Sequence, residues 1–166
     1  MQSLTRAEAL ARAATVRPES YEIDLDLTMG DATFGSRTVL RFVAEPGTQT
    51  FVEFQPVELR SAMLNGVPLP ASAIGTQRLT LDGLAATNEL IVDAVMAYSN
   101  TGEGLHRFTD PADGRTYLYA HLFIDGVRHV FPSFDQPDLK AVFTVRVTAP
   151  PDWLVAANAP VAFIRL

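Results

Sequence analysis

From Tyr21 onward, apolar side chains fall on alternate residues and turn-forming residues interrupt them every few positions, a pattern that restricts most of this chain to sheet. Tyr21, Ile23, Leu25 and Leu27 alternate with Glu22, Asp24, Asp26 and Thr28, the two-residue period of a half-buried strand with an acidic outer face. Residues 29–32 supply a turn. Further strands are expected at 34–43, stopped by Glu45-Pro46-Gly47, and at 51–54 and 57–64. Asn65-Gly66 is a two-residue hairpin turn with both residues at positive φ, so residues 67–69 should return beside 57–64. Strands at 77–81 and 88–98 flank the Asp82-Gly83 turn, and 99–116 reads as one long polar loop. Helical character is confined to residues 7–14, where Thr5 and Glu8 form a capping box before an alanine-rich run; Leu4 and Leu10 are expected to dock that helix. The fold class is all-β, an antiparallel β-sandwich with one short N-terminal helix, as a single domain over 1–166.

Composition supports a core and excludes several partners. The chain is 48% apolar, and a domain of this size buries roughly 70% of its unfolded surface. A net charge of −6 with no basic cluster argues against nucleic acid or an anionic membrane. There are no cysteines, which fits a reducing compartment. Arg6, Glu8 and Arg12 stand where a signal peptide needs an apolar run, and no stretch of about 20 apolar residues exists to span a membrane. The expected location is cytoplasmic.

Residues 117–140, YLYAHLFIDGVRHVFPSFDQPDLK, are the most informative stretch. Tyr117, Tyr119 and His121 alternate with Leu118, Ala120 and Leu122 as in a strand. Pro132 and Pro137 then impose a turn-rich connection packed by Phe131 and Phe134. Ser133 lacks the strand-turn-helix elbow of a nucleophile and reads as packing. Asp135 and Asp138 read as turn carboxylates that cap backbone amides, ahead of an acid–base pair. Residues 141–148 alternate as a core strand, and 153–157 begin a last one.

Metal chemistry finds little support. The acidic face of residues 22–26 is a solvated strand face, since carboxylates two apart lie some 6–7 Å from one another without a converging loop. His121 and His129 flank the Asp125-Gly126 turn and would face one another if that turn closed a hairpin, but no third ligand is evident. Gly102-Glu103-Gly104 does not sit at a strand-to-helix junction and is no dinucleotide fingerprint.

The same stretch resembles the N-terminal domain of the aminopeptidase N family of zinc metallo-aminopeptidases, gluzincins of bacterial type. Tyr117, Tyr119, Arg128, Val130, Phe131, Pro132, Phe134, Asp135, Gln136, Pro137, Asp138 and Lys140 fit the family run Y-x-Y-T-Q-F-E-P-x-x-A-R-R-V-F-P-C-F-D-Q-P-D-x-K without a gap. Asn158-Ala159-Pro160 fits a later S-N-x-P. The resemblance implies a saddle-like β-sandwich that lines the substrate cleft beside a catalytic domain of the same polypeptide. It also implies zinc in the full-length enzyme and hydrolysis of the N-terminal peptide bond. The family's Gln and Glu, which reach the substrate α-amino group, correspond here to His121 and Phe123; these are the candidate substrate-binding residues. An aromatic at 123 offers an ammonium no carboxylate.

The resemblance places the metal on H-E-x-x-H, and His106, His121 and His129 are neither followed by Glu nor spaced by four. The chain is therefore expected to hold no catalytic or metal residue and to be inactive alone. Two other readings stay open. One is a stand-alone, non-catalytic binding or scaffold module of the same fold, which the exchanges at 121 and 123 favour. The other is an unrelated β-sandwich that binds carbohydrate or protein.

Overall fold

A computed structural model describes residues 3–164, so residues 1, 2, 165 and 166 of the expected 1–166 domain lie outside the described residues. The helix α1 spans Arg6–Thr15 and starts where the capping box places it. The Glu8 amide donates to Thr5 Oγ1 at 3.2 Å and the Thr5 amide donates to Glu8 Oε2 at 2.8 Å. The predicted docking residues do not dock it. Leu4 is only half-buried, and Leu10 is 62% exposed. Arg12 holds the helix instead at 3% exposure, through a buried ion pair. An apolar pattern cannot reveal an attachment made by a guanidinium.

Ten strands follow: β1 Val16–Asp26, β2 Thr33–Ala44, β3 Thr50–Glu53, β4 Glu58–Leu64, β5 Val67–Pro68, β6 Arg78–Leu81, β7 Thr87–Ala97, β8 Gly104–Thr109, β9 Thr116–His121 and β10 Val142–Thr148. Six of them form one sheet in the order β10-β1-β2-β7-β4-β5; the second layer is two antiparallel pairs, β3-β6 and the β8-β9 hairpin. Every pairing is antiparallel except β10 on β1, which is parallel. Ile23, Leu40, Phe42, Leu90 and Val92 of the large sheet meet Val52, Phe54, Leu79, Leu81, Phe131 and Phe134 in one core. This is the expected sandwich. Asn65 at φ 52° and Gly66 at φ 78° make the expected two-residue turn between β4 and β5.

Three expectations are corrected. Residues 99–116 are not one loop: β8 lies inside them and pairs with β9, leaving a tight turn at 110–115. Residues 141–148 do form a strand, but at the sheet edge, and its core-facing Phe143 is 52% exposed although it stacks on Tyr21 at 4.6 Å. No strand forms at 153–157. The alternation that marks a strand is present in β10, but the second layer stops short of it.

The acidic face of β1 is satisfied by arginines. Glu22 lies 2.6 Å from Arg41 and 3.0 Å from Arg146, and Asp24 lies 3.2 Å from Arg146. Hydrogen bonds from Arg41 and Arg146 hold the Glu22 carboxyl below its ordinary range.

Glu8 adds a pH dependence. Arg78 donates to its Oε1 at 2.6 Å and to its Oε2 at 3.2 Å, and with the capping bonds this lowers its pKa from 4.5 to about 2. A depressed carboxylate contributes stability that is complete above the unfolded pKa and lost as pH falls through the folded one. Glu8→Gln is expected to lower stability at pH 7 by about 1 kcal/mol, a modest figure because the pair is partly solvated. Urea midpoints of the two proteins should converge as pH falls from 4.5 to about 2. A gap that stays constant over that window would contradict the assignment.

Candidate functional site

The β8-β9 hairpin carries two unlike faces. Leu105 and Leu118 turn toward the core. Tyr117, Tyr119 and His121 point the other way, and the register sets Phe108 opposite Tyr117 and His106 opposite Tyr119. Tyr119 and His106 are tilted against one another at 4.8 Å. Past the end of β9, Phe123 is 72% exposed and lies nearly parallel to His121, at 6.5 Å and 9°. The structure therefore brings the two predicted residues side by side at the tip of an exposed aromatic stripe.

Residues 122–126 form the turn that presents Phe123. Asp125 has φ 70°, in the left-handed region, and the Gly126 amide donates to the Phe123 carbonyl at 2.8 Å. Glycine is required at 126 because a Cβ there would sit 2.9 Å from the Phe123 carbonyl oxygen and 3.0 Å from that of His121. Asp125 is anchored on three sides. Its carboxylate accepts from Ser3 Oγ at 2.7 Å and pairs with the buried Arg128 at 3.2 Å, and its amide donates to Asp135 Oδ2 at 3.0 Å.

Behind the turn lies a buried polar cluster. The Asp135 amide donates to Glu53 Oε2 at 3.1 Å, and the same oxygen takes Arg12 Nη1 at 3.0 Å. Arg12 and Glu53 side chains are each 2% exposed. Arg12 Nε donates to Gln136 Oε1 at 3.1 Å, Gln136 Nε2 donates to the Ala9 carbonyl at 3.0 Å, and the guanidinium lies 4.9 Å from the Phe51 ring centroid and 5.5 Å from that of Phe134. Burial pushes the Asp135 carboxyl above its ordinary range.

The other candidates fall into place. Asp135 caps an amide, as expected, but the amide is Asp125's, from a different turn. Ser133 is buried and its backbone bridges to Glu53, in keeping with packing. His121 and His129 are not hairpin partners. His121 pairs with Gly104, whereas His129 ends a short 3-10 turn, Val127–His129, where burial and the Arg128 charge lower its pKa. His106 Nδ1 accepts from the Gly102 amide at 3.0 Å. Among the described residues, no three His, Asp or Glu side chains gather as metal ligands. Sequence reasoning missed Arg12, Glu53 and Asp125. The signal available was a lone Glu inside the apolar run Phe51-Val52-Glu53-Phe54, a buried charge that demands a partner.

Comparison with known proteins adds kinship. Residues 74–163 match the Peptidase M1 N-terminal domain. Aminopeptidase N of Streptomyces lividans is 46% identical over 163 residues, covering 95% of this chain and 19% of that protein. Probable M1 family aminopeptidase 1 of Encephalitozoon cuniculi (strain GB-M1) is 27% identical over 157 residues, 86% of this chain and 18% of the relative. Native yeast LTA4 hydrolase superposes with a TM-score of 0.69 at 13% identity, over 83% of this chain and 23% of that one. The chain spans about a fifth of the length of the curated relatives it matches. No helix among the described residues is long and apolar enough to cross a membrane.

Proposed function

This chain belongs to the peptidase M1 family as the N-terminal domain of an aminopeptidase N-like protein, and from that premise we propose that it lines the substrate cleft of a zinc-dependent aminopeptidase that removes N-terminal residues from peptides. The observation that supports the reading is the exposed stripe ending in His121 and Phe123, the two residues that the sequence resemblance aligns with the family's substrate-amine contacts. His121 and Phe123 are the substrate-binding residues in this reading. A carboxylate holds an ammonium by charge, whereas a phenyl face holds it by its quadrupole, with less energy when solvated.

Zinc does not fit the donors found here. His106 already accepts a hydrogen bond through Nδ1, His129 is half-buried beside Arg128, and among the described residues no three such ligands gather. In this proposal zinc therefore belongs to the catalytic domain of the same polypeptide. The partly uncovered Phe143 and Val145 of β10 support the presence of further packed structure, and so favour a domain within a longer enzyme over a stand-alone binding module. The cysteine-free composition is in keeping with the cytoplasm, the location we assign.

The test uses the full-length polypeptide and peptides with free or acetylated N-termini. Restoring the family pair by His121→Gln with Phe123→Glu is expected to lower KM for free N-termini about tenfold, the worth of one charged contact, with little change for acetylated ones. Unchanged KM for both would remove His121 and Phe123 from substrate contact.

A further inference from the structure

We propose that Arg12 on α1 is a positioning residue for the turn at 122–126, acting through Glu53 and Asp135 to fix where Phe123 stands. The inference rests on the reading of Phe123 as a substrate contact. Three consecutive hydrogen bonds carry it: Arg12 Nη1 to Glu53 Oε2 at 3.0 Å, the Asp135 amide to Glu53 Oε2 at 3.1 Å, and the Asp125 amide to Asp135 Oδ2 at 3.0 Å.

Two features argue that this arrangement sets geometry as well as stability. A buried ion pair can be replaced by packed apolar side chains with little loss of stability, so attachment of α1 alone does not demand Arg12 and Glu53. What apolar side chains cannot do is accept the Asp135 amide and so aim its carboxylate. The turn also needs aiming. Phe123 is 72% exposed, so its placement follows from the backbone of the turn, and Asp125 holds a left-handed φ of 70°, a conformation that Asp tolerates better than most residues but at some cost in energy. Ser3, just ahead of α1, donates to the Asp125 carboxylate at 2.7 Å, so the N-terminal segment holds Asp125 both directly at its carboxylate and, through Glu53 and Asp135, at its amide.

The experiment uses the full-length enzyme carrying Arg12→Met with Glu53→Met, a pair that keeps volume and removes both charges. A second set is Asp135→Ala and Asp135→Asn, of which only Asn keeps an acceptor for the Asp125 amide. Hydrogen exchange of the 122–126 peptide is expected to quicken about tenfold in Arg12→Met/Glu53→Met and in Asp135→Ala, and to stay slow in Asp135→Asn. KM for a peptide with a free N-terminus should rise about fivefold in the same two proteins while kcat holds, the mark of misplaced binding rather than lost chemistry. Unchanged exchange overturns the proposal. Faster exchange with unchanged KM also overturns it, provided Phe123→Ala raises KM. If Phe123→Ala leaves KM untouched, the substrate reading of Phe123 fails instead, and the exchange arm alone judges whether Arg12 orders the turn.

Discussion

Glu53→Ala is expected to destabilise the fold by about 3–5 kcal/mol, the range for breaking a buried ion pair from one side. The Arg12 guanidinium would be left at 3% exposure without its carboxylate, facing the rings of Phe51 and Phe134. The Asp135 amide would lose its acceptor as well. In urea the midpoint should fall sharply with an unchanged slope. The control is Arg12→Met/Glu53→Met, which removes both charges and should recover most of the loss. By contrast, the exposed pair Arg17–Glu19, at 3.6 Å, should contribute under about 0.5 kcal/mol. A loss from Glu53→Ala as small as that would mean that water reaches Arg12 in solution and that the cluster is not the closed unit described above.

What could be read in advance divides along a physical line. Features fixed by neighbouring residues were legible: the Thr5–Glu8 capping box, the Asn65-Gly66 turn, and the strand at β7, where a buried face imposes alternation. β1 was found only from Tyr21 because a bulge between Pro18 and Ser20 resets its parity; Val16 and Pro18 are buried on even positions, Tyr21 and Ile23 on odd ones. β8 hid inside a glycine-rich stretch because only six residues, two of them charged or histidine, carry its pattern. β10 shows the opposite failure. Its alternation is real, but burial depends on what lies opposite, and no local pattern reports that.

The site was legible in the same uneven way. Alternation along β9 placed Tyr117, Tyr119 and His121 on one face correctly. Phe123 lies beyond the strand, where the period no longer holds, and only the turn geometry stacks it beside His121. Of the Arg12–Glu53–Asp135 cluster only Glu53, a lone charge in an apolar run, was marked in the sequence; its partners lie 41 and 82 residues away. Long-range polar contacts leave no period to find.

Phe134→Ala is the second large expected effect, about 3–5 kcal/mol for an aromatic deleted from a packed core. The ring is almost wholly buried, meets Phe42 edge-on at 5.2 Å and 81°, and offers its face to Arg12 at 5.5 Å. Its amide donates to Tyr21 Oη at 3.1 Å, a hydroxyl so buried that its pKa is pushed up to about 12. Phe134 thus joins the large sheet, the helix anchor and the proline-bounded connection at one point. Phe134→Leu keeps most of the volume and should lose under about 1.5 kcal/mol, although the face beneath Arg12 disappears. Thermal unfolding of the two variants separates the contributions: a large loss in Ala with a small one in Leu assigns Phe134 to packing. Equal losses would instead make the aromatic face under Arg12 the dominant contact, and the helix anchor would then depend on the ring as much as on Glu53.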